Sequence, residues 1–409
     1  MPSTSSGTGA LSSGGVANPT PPASASLRTW LAIIALAVGC FTFVSAEMLP
    51  IGLLGPISAT IHVSAGTAGL LVTGFAILVA LAAGPMTVLT GRIDRKWVTV
   101  LLMLVCLVGN GLAAVATNFT LLLIARLIVA LAIGVFWSIG TAMAVRLVPA
   151  HQAVKATSVV LGGLAVAAVL GVPLGTLLGQ YAGWHMAFAA LSVLSLIVGL
   201  AAMLLLPAMP AQSTGNLSAI FKAFRHGPMR LVFYATALMM TGHFLAYTYI
   251  TLYLQQVAGI PASWISSLLL LYGVAGVLGN FTIGRAMAKS LRGALLKMLV
   301  LMALSLLLLW VFGVHRWATI AVLIPWGFSY AALPVLLQTW VFRSAQETGD
   351  SEAALSLFVV AFNGAIAAGA WIGGLVLDHF GATPIVLVAA IIVLLAWLLV
   401  WSSRHGHAH

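Results

Sequence analysis

Three ionisable side chains stand in stretches of sequence that are otherwise apolar: Glu47, Arg126 and His243. A charge in hydrocarbon is costly, so an ionisable residue in such a place is read first as functional. Glu47 is the one acidic residue in the body of an apolar stretch, and Arg126 the one basic residue well inside one. Glu47 lies about 10 Å before the end of its stretch near Leu54 and Arg126 about 10 Å after the start of its own near Phe119, at about 1.5 Å per residue, and both of those ends are expected on the same, outer side. Carboxylate and guanidinium are therefore expected at one depth. Two readings stay open: a static ion pair that only holds the structure, or a proton switch. The switch would load or release a proton whenever a conformational change separated the two groups or altered their hydration.

His243 is followed by Tyr247 at i+4 and Thr251 at i+8, which places the three on one helical face. A polar stripe on an apolar helix belongs in a bundle interior, for solute hydrogen bonding, proton relay or packing. The uncharged candidates are Trp137, Ser138, Tyr272, Gln338 and Asn363. Amides, hydroxyls and aromatics with few charges suit a small neutral polar solute, although membrane helices also use such groups to hold one another. Gly171-Val-Pro173-Leu-Gly175 permits close approach and a bend, which fits a hinge. Gly284 to Ser290 only superficially suggests a phosphate loop, because the second glycine before Lys289 is missing. With no nucleotide, metal or cofactor motif, uphill movement of a solute would have to draw on an ion gradient, here protons.

The elements that position these residues follow from composition. Of 409 residues, 62% are hydrophobic and 6% charged, against about 25% charged in a soluble domain. This excludes a soluble enzyme, a disordered chain and a nucleic-acid binder, and makes a lipid bilayer the principal partner. Cys40 and Cys106 sit in apolar runs and read as packing residues. Apolar runs long enough to span a bilayer occur at 30–54, 67–90, 97–117, 119–145, 155–181, 184–206, 231–257, 263–288, 294–313, 318–342, 352–377 and 384–402. Backbone in hydrocarbon must satisfy its own hydrogen bonds, so these are expected to be helices. With the N-terminus inside, 15 of the 17 Lys and Arg fall on cytoplasmic segments, a strong positive-inside pattern that puts both termini in the cytoplasm. The fold class is thus an all-α membrane protein with twelve transmembrane helices in two six-helix halves. Its expected parts are a disordered tail (1–27), a first half (28–206), a cytoplasmic linker with a short amphipathic piece at 220–225 (207–230), a second half (231–403) and a short tail (404–409).

Ala46-Glu47-Met48-Leu49-Pro50, Phe136-Trp137-Ser138-Ile139, Arg146-Leu-Val-Pro149, Gly171-Val-Pro173-Leu-Gly175 and His243-Phe-Leu-Ala-Tyr247 together resemble the drug:proton antiporter branch of the major facilitator superfamily. Within that branch they are most similar to the sugar efflux transporters that export arabinose-type sugars. The resemblance implies a monomer in a bacterial inner membrane that exports a small neutral solute, a sugar, in exchange for protons by alternating access. It implies Glu47 as proton site with Arg126 as its partner, solute contacts from His243, Tyr247 and Asn363, and gating by Arg92, Arg95 and the Gly171–Gly175 run. Related purine nucleoside exporters share the span 1 and span 4 patterns, so nucleosides and amphipathic drugs are the alternative cargo. One departure stands out: the family's loop between spans 2 and 3 has an aspartate where this chain has Gly91, and a glycine where it has Asp94. The inner gate is therefore expected to rely on other contacts.

Overall fold

The structure is a computed structural model that describes residues 25–210, 227–348 and 351–403. Residues 1–24 of the expected tail, the linker's amphipathic piece at 220–225, the last six residues, and the side chains of Trp137 and Ser138 lie outside the described residues.

Thirteen α-helices make up the described chain. The first half holds α1 (Leu27–Ile61), α2 (Ala65–Leu89), α3 (Arg95–Ala114), α4 (Phe119–Leu147), α5 (Ala153–Ala182) and α6 (Trp184–Leu205). The second holds α7 (Gly227–Tyr247), α8 (Ile250–Gln256), α9 (Ala262–Lys289), α10 (Leu291–Phe312), α11 (Arg316–Thr348), α12 (Ser351–Phe380) and α13 (Thr383–Ser402). Eleven of these are long and apolar enough to cross a membrane, and α7 with α8 makes a twelfth crossing bent by 43°. An even number of crossings returns both ends of the chain to one face, here the terminal face. The opposite one is the far face.

In the sequence, short turns at Thr117-Asn118, Gly183-Trp184, His315-Arg316 and Gly381-Ala382 separate neighbouring apolar runs, and the helices break at each of them. Asn118 caps α4 by accepting from the Leu121 amide at 2.9 Å, which satisfies one donor orphaned at the helix start. Gly183 and Gly381 both have φ of +82°, a conformation that side chains disfavour. The break between α7 and α8 was not expected, since 231–257 reads as one span. It falls in Tyr247-Thr248-Tyr249-Ile250-Thr251, a β-branched and aromatic run with poor helix propensity. There the helix tightens, with the Tyr249 amide donating to the Ala246 carbonyl. Thr251 consequently leaves the His243 face and donates instead to the Ile51 carbonyl of α1 at 3.3 Å.

Asp94 has found a structural task. It caps α3 by accepting from the Lys96 amide at 2.9 Å and also accepts from the Met209 amide at 2.8 Å. The Arg95 amide donates to the Met209 carbonyl, and Arg146 donates to the Pro210 carbonyl. The start of the linker is thereby tied to the terminal face of the first half. Arg95 is buried there, whereas Arg92 is exposed.

Each half has its own apolar core. The second half's core also takes in Ile51, Leu54, Ala68, Val72, Ala76 and Val172 of the first. The halves meet along two seams, α2 against α12 and α5 against α9, with α1 touching α8. On the α5 seam, Ser266 donates to the Pro173 carbonyl at 2.7 Å and Gln180 to the Ala262 carbonyl at 2.6 Å. Gly171 and Gly175 face the other way. A Cβ at either would meet Ser45 or Leu49, so these glycines let α5 press against α1 within its own half. Of the expected hinge residues, only Pro173 reaches across the seam.

Candidate functional site

In the first half the site begins with Pro50. A proline inside a helix has no N–H for the carbonyl four residues earlier, which here is Ala46. Arg126 supplies the missing donor: Nη1 bonds the Ala46 carbonyl and Nη2 the Glu47 carbonyl, the latter at 3.0 Å. The guanidinium is fully buried and also lies 4.2 Å over the Phe75 ring, a cation–π contact. Arg126 thus stands in for the missing helical donor at Pro50 and secures the turn of α1 that carries Glu47.

The two charges do share one depth, but they are not joined head to head. Arg126 donates to main-chain oxygens, and the Glu47 carboxylate acts on it through space. Among the described residues the Glu47 side chain has no hydrogen-bond partner. It is partly exposed, and within electrostatic reach of Tyr330 in the other half. Behind Arg126, Asn110 donates to the Cys106 carbonyl at 2.9 Å, leaving its own amide oxygen and Arg126 Nε without partners.

The second half answers with an uncharged aromatic group. His243 stacks on Tyr330 with ring centres 3.6 Å apart and planes within 8°. Tyr247 lies 5.0 Å from His243 and 6.3 Å from Tyr330, and Tyr272 stacks on Tyr247 at 5.0 Å. Trp326 stands edge-on to His243, Tyr247 and Tyr272. Three helices, α7, α9 and α11, contribute. Pro334 in α11 removes the donor to the Tyr330 carbonyl, as Pro50 does for Ala46. The break at the end of α7 adjoins the group, and discontinuous helices are a recurrent feature of solute sites.

The polar atoms of this group are strikingly unengaged for a buried site. His243 and Trp326 are fully buried and Tyr272 nearly so, yet both His243 nitrogens, the Tyr272 hydroxyl and Trp326 Nε1 have no hydrogen-bond partner among the described residues. Leaving one such group unsatisfied costs about 1–3 kcal/mol, so four in one place call for an explanation.

The sequence-derived residues therefore divide. His243, Tyr247 and Tyr272 come together. Asn363 is buried on α12 with its amide donating to the Val359 carbonyl at 3.1 Å. Gln338 is exposed two turns beyond Tyr330 on α11. Trp326 and Tyr330 were not anticipated, although Trp326, Tyr330 and Gln338 recur at helical spacing on one face.

The sequence profile described as Major Facilitator Superfamily matches residues 31–351. Among solved structures, the nucleoside transporter NupG, in a singly substituted form, is similar at a TM-score of 0.76 and 14% identity, over 92% of this chain and 99% of that one. The human organic anion transporter MFSD10 (TETRAN) gives 0.62 and 18%, over 91% and 98%. A bacterial homologue of the human lysosomal transporter Spinster, inward-facing and unoccupied, gives 0.70 and 15%, over 91% and 96%. At these identities the likeness is one of fold.

Proposed function

Because this chain belongs to the Major Facilitator Superfamily, it is a membrane transporter rather than an enzyme, and we propose that it exports a small neutral polar solute, a sugar, in exchange for protons. The observation that carries this reading is the aromatic group with four unengaged polar atoms. Ring faces can pack against the C–H faces of a sugar. The His243 ring, the Tyr272 hydroxyl and Trp326 Nε1–H can donate to its hydroxyl oxygens, and the unprotonated His243 nitrogen can accept in return. Pockets of this kind combine an apolar lining with a few placed polar groups. The absence of a charged side chain within the group favours a neutral cargo over a cationic drug.

Glu47 serves as the proton site. Arg126 is occupied by the main chain before Pro50, so the carboxylate stays within electrostatic reach of Tyr330 instead of being locked in an ion pair. Proton and solute then compete at neighbouring positions, which is the requirement for exchange. The inter-half hydrogen bonds described here gather at the far face, which supports a resting state open toward the terminal face. The positive-inside pattern supports a cytoplasmic location for that face, and the resemblance to the sugar efflux transporters supports a bacterial inner membrane. The working unit is a monomer, and the proton gradient is its only energy source.

Parallel rings would also receive a flat base, so a nucleoside is the second reading. A thermal-shift panel of neutral sugars, nucleosides and cationic amphiphiles on the purified protein separates them. Stabilisation by a sugar, followed by proton-driven accumulation of that sugar in inverted vesicles, is the expected result. Stabilisation by nucleosides alone would overturn the choice of cargo.

A further inference from the structure

The far face closes the α2–α12 seam with a single carboxylate. Asp378, near the end of α12, accepts from the Ser64 hydroxyl at 2.7 Å and from the Gly66 amide at 3.0 Å. Ser64 also accepts from the Thr67 amide at 3.0 Å, so it caps the first turn of α2. Asp378 therefore sits over the positive end of one helix while belonging to the opposite half, and both of its bonds are charge-assisted.

The backbone around it is shaped for this contact. A Cβ on Gly66 would lie 2.3 Å from Asp378 Oδ2 and 2.6 Å from the Gly374 carbonyl oxygen. A Cβ on Gly374 would lie 3.1 Å from the Gly66 Cα. Just below, Tyr249 fills the seam at the α7–α8 break. Its hydroxyl donates to the Ala370 carbonyl at 2.8 Å and lies where a Cβ on Gly69 would be. The α5–α9 seam at the same face is held by uncharged contacts from Gln180 and Ser266. The two seams are thus unequal, and only the one at α2 depends on a charge.

We propose that Asp378 is the latch of the far-face gate: its carboxylate, clamped on the start of α2, holds the halves together there and must let go for the solute site to open to that side. The latch is released when Asp378 leaves Ser64 and Gly66, and the glycine seam then parts without tearing any other charged contact described here. This rests on the alternating opening of the two faces. It does not depend on which solute is carried or on Glu47 as proton site, so its test measures opening itself.

The test uses a Thr251→Cys reporter, because Thr251 is buried beside that seam, where α8 meets α1 at Ile51, and the same parting of the halves uncovers it. The native Cys40 and Cys106 are buried and set a low background. An impermeant maleimide is applied to the far face of the full-length protein in vesicles. Adding Asp378→Asn, which removes the charge and keeps the shape, is expected to raise the labelling rate about fivefold, the population change from losing one charge-assisted contact. Gly66→Ala is expected to do the same by pushing the carboxylate away. An unchanged rate in both variants overturns the latch. Should neither variant accumulate in the membrane, Ser64→Cys with Asp378→Cys decides. Bridging the pair with a short methanethiosulfonate cross-linker is expected to stop transport, and a reductant to restore it. Transport that continues in the bridged protein overturns the proposal.

Discussion

The two candidate clusters of this transporter, one in each half, bury polar groups in opposite ways. In the first half a buried arginine is nearly fully engaged: two main-chain carbonyls and the Phe75 ring take up its charge. In the second, a buried histidine, tyrosine and tryptophan gather four polar atoms and engage none of them. A buried polar group is either part of the structure or waiting for something. On the proposed function, the first half holds the proton site and the second receives the solute. Substitutions on the two sides should consequently fail differently.

The largest effect is expected at Arg126. Arg126→Ala would leave the Ala46 carbonyl, which Pro50 cannot serve, without a donor and open a cavity beside Phe75. A loss of about 3 kcal/mol or more is expected, read as a large fall in melting temperature in detergent together with loss of transport. Unaltered stability would mean that the turn at Pro50 needs no support.

His243→Phe and Tyr272→Phe should behave in reverse. Each removes unsatisfied polar atoms from a buried site, so stability is expected to hold or rise by about 1 kcal/mol. Solute affinity is expected to fall by about tenfold, the worth of one or two hydrogen bonds. Calorimetric binding beside a melting curve checks both. A variant that melts early while binding normally would place these residues in the core and not in the site. Gln338→Ala, at an exposed position two turns from Tyr330, is expected to shift affinity by less than about threefold.

Much of the fold was legible in the sequence because lipid imposes a simple rule: backbone in hydrocarbon must be helical, and the runs of apolar residues say where. Asn118, Gly183 and Gly381 marked turns for reasons of capping and positive φ. Glu47 and Arg126 announced themselves as charges where charges are expensive. What they do to one another was harder to read, since the relation runs through Pro50 and the main chain of Ala46, four residues before it. That spacing was in the sequence and is the signal to use. Trp326 and Tyr330 carried no signal of their own, because an aromatic in an apolar run is ordinary. Only their shared face with Gln338 distinguished them. The break after Tyr247 lacks Gly or Pro and rests on weak propensity plus tertiary contacts, while Asp378 looked like a charge at the end of a span. Its partners, Ser64 and Gly66, are more than three hundred residues away, a proximity that only the packing of the halves creates.

The division of labour between the halves is tested most directly by solute-induced proton release. The purified protein, in weak buffer with a pH indicator, is mixed with the sugar that stabilises it best. The wild-type protein is expected to release protons on binding, Glu47→Gln to bind the sugar and release none, and His243→Phe to show weakened binding with release restored at higher sugar concentration. Proton release that persists in Glu47→Gln would contradict the account, because the proton would then be carried somewhere other than the carboxylate within the first half's apolar stretches.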